Sequence, residues 1–195
     1  SALRLQDTVE QIDIVFDYGA FYINDIPRFV WNFLTGETYY MLDIRSFYQT
    51  LWAYRYEGRG IIEQELNLTP EEVKTIGKFL IWNIQPENQE YLYNFFTDNC
   101  ATRIRDILER EFPDIQWNSP YEPETWRNLL VKRYMGSQSW TSFGANMALG
   151  VPLDKPATTN QLMFLPDALS ESFSTATIDN GTRKLANNKK VILEG

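Results

Sequence analysis

Apolar and polar side chains alternate along two short segments at the start of the chain, residues 3–6 and 12–17. Alternation over this length is typical of a strand that buries one face, and two such segments in succession predict a hairpin. The pattern then changes, because the apolar residues of segment 26–35 recur at helical spacing behind Pro27, a residue favoured in a helix's first turn. A short helix that ends at Thr35-Gly36 is therefore predicted.

Segment 38–68 returns to a strand-like pattern. Aromatic and β-branched residues crowd positions 39–44, and a second apolar group at 61–66 follows a glycine-containing turn at 58–60. We expect this region to complete the sheet that the first hairpin begins.

Two later helices have clear beginnings. Residues 69–72, Thr-Pro-Glu-Glu, combine a capping threonine, a proline at the first helical position and a glutamate at the third, which predicts a helix start. Apolar residues then recur at helical spacing over 104–108, directly behind Cys100. The sequence therefore places Cys100 in the first turn of a helix.

Towards the C-terminus, glycines and prolines separate three further predicted helices, at 123–134, 139–149 and 159–173. The turn signal Asp-Asn-Gly at 179–181 predicts a hairpin. The predicted fold class is α+β, with a small antiparallel sheet packed on the helix of Cys100 and additional C-terminal helices.

Composition narrows the class of protein. The chain has 195 residues, of which 44% are hydrophobic and 23% charged, as in an ordinary globular domain. We expect a single domain over 1–174 with a C-terminal hairpin or arm at 175–195. A formal net charge of -8 would repel phosphate backbones, so nucleic acid is not an expected partner. The longest uncharged run, 134–153, is too polar to span a bilayer.

The counts of cysteine and histidine restrict the chemistry further. The single cysteine excludes an internal disulfide. Because these 195 residues contain no histidine, they cannot supply an imidazole as a metal ligand or as a base. We predict no metal and no cofactor. The first residues have no apolar signal region, so the protein is either cytosolic or has lost a targeting segment before Ser1.

Cys100 is the first candidate for catalysis, because the N–H groups and positive dipole at a helix N-terminus stabilise a thiolate and can hold an oxyanion. Asp98 or Asn99 could cap the helix, and Arg103 would add positive charge one turn on. Free cysteine is also among the most buried residue types, and Cys100 shares an apolar face with Ile104. Spacing alone favours that second interpretation.

A cysteine nucleophile needs a base, usually a histidine oriented by a further polar group. Asp17 or Asp13 could orient such a base, although alternating acidic residues more often mark the solvent face of a strand. Aromatic residues form 15% of the chain and could line a groove, with Tyr18 and Tyr93 as candidates, although most aromatic residues fill cores.

Residues 93–106 read YNFFTDNCATRIRD, and five flanking segments accompany this motif in order. The flanking segments are VFDYGAF at 15–21, YEGRGIIEQELNL at 56–68, TWRNLLVKRY at 125–134, WTSFGANMALGVP at 140–152 and MFLPD at 163–167. Together they resemble the lacto-N-biosidase N-terminal-like periplasmic domain family, common in Bacteroidetes. That family is similar to permuted papain-like proteins of the NlpC and lecithin-retinol-acyltransferase kind, in which a strand-borne histidine precedes the helix-borne cysteine.

The resemblance implies further expectations about the site. In similar sequences a Gly-His pair directly precedes the stretch that matches Ser1, which implies a histidine base immediately upstream. It also implies Cys100 as the nucleophile. Asp17, the candidate for a third catalytic residue, stands where similar sequences often have asparagine. Asn99 and Arg103 would support the thiolate or the oxyanion.

The function that follows is a cell-envelope cysteine hydrolase or acyltransferase acting on a peptidoglycan peptide or a lipid acyl group. We expect a periplasmic or outer-membrane-associated protein, with a membrane tether possible after Gly195. The alternative is a non-enzymatic envelope module that uses an aromatic groove for glycan or partner contact. A third possibility, acid–base hydrolysis by paired carboxylates, would not need Cys100.

Overall fold

The computed structural model describes residues 1–21, 25–118, 125 and 156–195. The strands of this part are β1 (Ala2–Asp7), β2 (Ile12–Ala20), β3 (Tyr39–Ser46), β4 (Ile61–Leu66), β5 (Glu90–Leu92), β6 (Thr177–Ile178), β7 (Arg183–Lys184) and β8 (Ala186–Leu193). The helices are α1 (Ile26–Thr35), α2 (Phe47–Tyr56), α3 (Pro70–Asn83), α4 (Cys100–Glu111), α5 (Thr159–Leu162) and α6 (Pro166–Thr175).

The main sheet is antiparallel and has the strand order β1-β2-β3-β5. The predicted β1–β2 hairpin is confirmed, with Leu3 opposite Phe16 in the register. Phe16 in turn lies opposite Ile44 of β3, and Tyr40 lies opposite Tyr91 of β5. Because directly paired residues lie on the same face of a sheet, this register decides which side chains share a side.

One face of this sheet packs against α4 and forms the main core. Phe16 and Leu42 are almost completely buried there, together with Ile104 and Leu108 of the helix. α3 and α6 also pack against α4, which therefore lies at the centre of the fold. The predicted helix starts at Pro70 and Cys100 are confirmed, since those residues begin α3 and α4.

A helix interrupts the region that the sequence predicted as strands. α2 begins immediately after β3, where the Ser46 hydroxyl accepts a hydrogen bond from the amide of Gln49 and the Gln49 side chain accepts one from the Ser46 amide. Such a capping box starts a helix whatever the strand propensity of the residues that follow. The aromatic side chains of α2 favour strands on average, so the prediction of a continuous strand region was wrong over Phe47–Tyr56.

The sequence suggested that β4 would join the main sheet, and this was wrong. β4 pairs instead with β8 in a separate two-stranded sheet. Residues 175–195 contain the predicted hairpin, β6–β7, which turns at positions with positive φ at Asp179, Asn180 and Gly181. Ile178 and Leu185 from this segment are completely buried in the main core. The C-terminal segment is therefore part of the packed fold.

The single helix predicted at 159–173 is two helices, α5 and α6. The helix cannot continue through Pro166, whose ring removes an amide donor, and Pro166 instead occupies the first turn of α6. The helices predicted at 123–134 and 139–149 lie outside the described residues, apart from position 125. Within the described residues, every helix is too short or too polar to cross a bilayer. The fold class, α+β with small antiparallel sheets, is confirmed.

The first turn of α3 is tied to β7 by an ion pair between Glu72 and Arg183. Arg183 donates from Nη2 to Glu72 Oε1 at 2.5 Å and from Nη1 to Oε2 at 2.9 Å. These charge-assisted hydrogen bonds lower the pKa of Glu72 from 4.5 to about 2. The carboxylate form is the one that stabilises the fold.

We expect Glu72→Gln to lower the free energy of unfolding at pH 7 by about 1 kcal/mol, since solvent screening limits a pair at the surface. A lowered pKa stabilises the folded state fully above the unfolded value near 4.5, and this stabilisation is lost as pH falls through about 2. Urea unfolding at pH 7, 4.5 and 2 should therefore show the difference between wild type and variant closing towards pH 2.

The matched control is Glu71→Gln, since Glu71 lies in the same first turn of α3 and forms no ion pair among the described residues. The control should change the free energy of unfolding little at any pH. A difference between Glu72→Gln and wild type that persists undiminished at pH 2 would contradict this account.

Candidate functional site

Cys100 is the first residue of α4 and is partly exposed. A tight turn leads into it, in which the side-chain oxygen of Asn94 accepts hydrogen bonds from the amides of Phe96 and Thr97, both at 3.1 Å. Asn94 and Asp98 also form an isolated β-bridge. The loop is thereby closed on itself, which fixes the direction from which the chain enters the helix.

Asn99 caps α4 with its entire side chain. Its Oδ1 accepts hydrogen bonds from the amides of Ala101 and Thr102 at 2.8 and 3.0 Å. Its Nδ2 donates to the carbonyls of Phe95 and Phe164, both at 2.8 Å, and the residue is only 3% exposed. The sequence suggested Asn99 as support for a thiolate or an oxyanion, whereas its amide is fully used in holding the helix start.

This cap leaves one amide at the helix start available. The N–H groups of Ala101 and Thr102 are bonded to Asn99 Oδ1, and that of Arg103 is bonded to the Asn99 carbonyl at 3.0 Å. Among the described residues, nothing accepts a hydrogen bond from the N–H of Cys100 itself. The free amide and the sulfur therefore belong to the same residue, at the positive end of the helix dipole.

The sulfur lies beside the beginning of β1. The α-amino nitrogen of Ser1 is 3.5 Å from Cys100 Sγ and donates a hydrogen bond to it. Ser1 precedes the first strand residue, Ala2, so the chain at this point is not held to the strand's alternation of faces. The backbone nitrogen of Ser1 therefore lies against the sulfur, on the side of α4 where β1 begins.

Three tyrosines on the α4-facing side of the sheet lie within electrostatic range of the sulfur. Tyr40 and Tyr93 stack with ring centroids 4.1 Å apart, and Tyr91 adjoins Tyr40 at 6.3 Å. Burial raises the pKa of all three hydroxyls, and a negative charge on Cys100 would raise each further. All three are therefore protonated at neutral pH and within electrostatic range of Cys100.

The predicted groove residues occupy different environments. Tyr18 is buried, where its hydroxyl donates to Asn83 Oδ1 at 2.7 Å and its carbonyl accepts from the Tyr91 hydroxyl at 2.6 Å. Tyr93 is only partly buried and lies within electrostatic range of the sulfur. The sequence analysis did not single out Tyr40 or Tyr91, whose place beside Tyr93 depends on the pairing of β3 with β5.

Arg103 lies one turn after Cys100, as the sequence indicated, and is bound by Asp98. Its Nε and Nη2 donate to the two carboxylate oxygens of Asp98 at 2.5 and 2.6 Å. Its guanidinium also lies over the ring of Tyr91, 4.2 Å from the centroid. Asp98 balances the charge of Arg103, and the contact with Tyr91 holds the guanidinium against β5. Arg103 therefore has a structural role beside the site.

Asp17 and Asp13 are not brought to the sulfur. Both lie on the face of β2 opposite to the buried Phe16 and Tyr18, because successive side chains alternate. Asp17 accepts from the amide of Gly19 at 2.8 Å and lies 3.9 Å from Arg45. Asp13 forms a two-pronged ion pair with Arg4 at 2.7 and 2.8 Å.

Within the described residues, no three cysteine, aspartate or glutamate side chains converge as a metal site would require. The chemistry that the arrangement can perform is that of a thiol. A partly exposed cysteine with a free backbone amide lies on the same side of the sheet as the protonated phenols.

Comparison with known proteins gives one family match. The family model described as the Lnb N-terminal periplasmic domain matches residues 1–132, about two thirds of the chain. This segment contains the main sheet, α4 with Cys100 and the three tyrosines, whereas Phe164, which accepts a hydrogen bond from Asn99, lies beyond it. No curated protein and no solved structure matches the chain.

We expect Asn99→Ala to lower the free energy of unfolding by about 2 to 3 kcal/mol, because it removes the cap of α4 and the hydrogen bonds that Nδ2 donates to the carbonyls of Phe95 and Phe164. Urea unfolding followed by circular dichroism measures this loss.

The control for this cap is Asn94→Ala, which removes comparable hydrogen bonds from the exposed turn before α4. We expect it to cost about 1 kcal/mol or less, since water replaces the lost partners. Equal losses in the two variants would show that Asn99 does not have the structural importance assigned to it.

Proposed function

The chain belongs to the Lnb N-terminal periplasmic domain family, and on this premise we propose that it is a cysteine hydrolase or acyltransferase of the cell envelope. The family assignment makes the domain periplasmic. Its substrates in our proposal are amides or esters of that compartment, either peptidoglycan peptides or lipid acyl groups.

One observation carries the proposal: Cys100 is partly exposed at the start of α4, and its Sγ lies 3.5 Å from the amino nitrogen of Ser1. A sulfur buried in the apolar core, far from β1, would have had no access to substrate or to a base from that strand. The proposed base is a histidine immediately upstream of Ser1. This order, with the base on a strand and the nucleophile on a later helix, is the permuted papain-like arrangement.

The proposed reaction begins when the histidine takes the Cys100 proton and the thiolate attacks the substrate carbonyl. The carbonyl oxygen becomes an oxyanion, which the free N–H of Cys100 stabilises by a hydrogen bond. The leaving amine or alcohol departs with the proton from the imidazolium, and a thioester to Cys100 remains. Water or an acceptor alcohol then attacks the thioester and regenerates the thiol.

The neighbouring side chains have supporting roles in this proposal. Tyr40 and Tyr93 form one wall of the acyl site, where their protonated hydroxyls present donors to a polar substrate. Asn99 and Arg103 position the helix start and β5. Asp17 takes no direct part, since it lies on the other face of β2.

A non-enzymatic envelope module that binds a glycan or another partner is the second candidate. The observation that favours it is the large number of aromatic side chains that the fold leaves exposed, among them Trp31, Trp52 and Trp82. The two candidates differ in what they require of Cys100, because a binding module does not need a reactive thiol.

The thiol experiment measures iodoacetamide alkylation of Cys100 from pH 6 to 8, in a chain that carries its native residues upstream of Ser1. We expect the rate to change less than about threefold, since a thiolate paired with imidazolium persists across this range. A free thiol, with a pKa near 8.5, gains about tenfold per unit below that value. Alanine in place of the upstream histidine should restore the steep dependence.

Alkylation with the slope of a free thiol, in the chain that carries the histidine, would exclude the enzymatic proposal and leave the binding module. A slope that is unchanged when the histidine becomes alanine would exclude that residue as the base.

Once a peptide or acyl-ester substrate is found, Cys100→Ala should reduce turnover at least about a thousandfold. Asp17→Asn should change turnover less than about threefold, because the carboxylate lies on the opposite face of β2. Steady-state kinetics of both variants measures this contrast. Turnover that survives Cys100→Ala would point to carboxylate chemistry, and a large loss in a stably folded Asp17→Asn would contradict the roles assigned here.

A further inference from the structure

An ion pair spans the position of Cys100 at the start of α4. Asp98 precedes the cysteine in the chain and Arg103 follows it, and their side chains meet in two hydrogen bonds, at 2.5 and 2.6 Å. The guanidinium of Arg103 therefore reaches back towards the N-terminus of the helix, alongside its first turn. We call these two charged residues the helix-start pair.

The helix-start pair and the sulfur act on the same tyrosine of the site. Arg103 lies over the ring of Tyr91, 4.2 Å from the centroid. Burial raises the pKa of the Tyr91 hydroxyl, a negative charge on Cys100 raises it further, Arg103 lowers it and Asp98 raises it. Two opposite charges and the thiol are thus within electrostatic range of a single hydroxyl on β5.

The charge of Arg103 lies at the unfavourable end of the helix. The N-terminus of a helix carries partial positive charge, so a cation in the first turn destabilises it and a carboxylate before it is favourable. Two backbone hydrogen bonds to Asn94, at 2.8 and 3.0 Å, hold Asp98 at this place. What Arg103 supplies here is the neutralisation of the Asp98 carboxylate.

We propose that Arg103 is a positioning residue of the thiol site, which acts through Asp98 to keep a carboxylate charge from opposing thiolate formation at Cys100. With both partners present the helix-start pair is electrically neutral, so the helix dipole and the proposed imidazolium stabilise the thiolate. Without Arg103 the free carboxylate repels the thiolate, and without Asp98 the free guanidinium attracts it. The two side chains are 32% and 34% exposed, so water weakens these effects without abolishing them.

The inference deepens the proposed function and rests on it for the role of Cys100 as nucleophile. It assigns Asp98 and Arg103 opposite effects on one sulfur. A pair with only a structural role would give both variants the same effect, because either substitution breaks the same two hydrogen bonds. The sign of each effect therefore distinguishes the two roles.

The test is the rate of iodoacetamide alkylation of Cys100 at pH 7, in a chain with its native upstream residues and alanine in place of the upstream histidine. At this pH the rate follows the fraction of thiolate. Arg103→Gln should lower the rate about fivefold and Asp98→Asn should raise it about fivefold, the effect of one partly screened charge. The double variant should return to within about twofold of the parent chain.

The matched control is Asp106→Asn, which makes the same change of charge on the same helix. It likewise frees an arginine, Arg105, from an ion pair at 2.6 Å. Asp106 lies about 9 Å further along the helix axis than Cys100, where solvent and salt screen its charge from the sulfur. We expect this control to leave the alkylation rate within about twofold of the parent chain, and thermal melting checks that all variants are folded.

Changes of rate in the same direction for Arg103→Gln and Asp98→Asn would overturn the proposal. So would a double variant that stays away from the parent rate, or an Asp106→Asn that equals Asp98→Asn. If Arg103→Gln does not fold, the contrast between the two aspartate variants decides alone. Failure of the proposed function would appear separately, as the pH slope of a free thiol in the chain that carries the histidine, since the variant ratios are measured without it.

Discussion

The hydrogen bonds of Asn99 are the constraint on which the rest of this structure depends. Its one side chain satisfies two amides at the start of α4, the carbonyl of Phe95 in the preceding loop and the carbonyl of Phe164 before α6. The loop before α4, the start of α4 and the segment before α6, which is 65 residues from Asn99, are therefore joined at one buried amide. Because α4 lies at the centre of the core, this point also determines where the sulfur of Cys100 lies.

The cap determines the chemistry available as well as the geometry. An asparagine that accepts from the second and third amides of a helix leaves the first amide without a partner, and here that amide belongs to Cys100. A nucleophile and an oxyanion donor on the same residue need no other loop to bring them together. The partly buried phenols nearby then supply a polar but protonated wall, which adds no negative charge beside a thiolate.

The main sheet separates the two surfaces of the molecule. Alternation along β2 sends Phe16 and Tyr18 towards α4, and Asp13 and Asp17 towards the side of α2. The first side contains the thiol site, and the second contains ion pairs and an exposed aromatic helix. A single strand thus divides the side proposed for catalysis from the side on which α2 packs.

Features of the fold that depend on neighbours in sequence were predictable. The β1–β2 hairpin, the cap at Thr69, the helix start at Cys100 and the turn at Asp179 each follow from a few adjacent residues. α2 was missed although its capping box, Ser46 with Gln49, is equally local, because the aromatic residues that follow resemble a strand. The capping signal was present in the sequence, but the strand propensity of the aromatic residues outweighed it in the prediction.

The sequence by itself determined the α+β class, the helix position of Cys100 and the lack of a histidine base within these residues. Only the tertiary structure decided that β4 pairs with β8, that Tyr40 and Tyr91 adjoin Tyr93, and that Asp17 faces away from the sulfur. The physical reason is the range of the interactions. Caps and turns are settled within four residues, whereas strand partners and the two faces of a sheet are settled by packing between segments far apart in the chain.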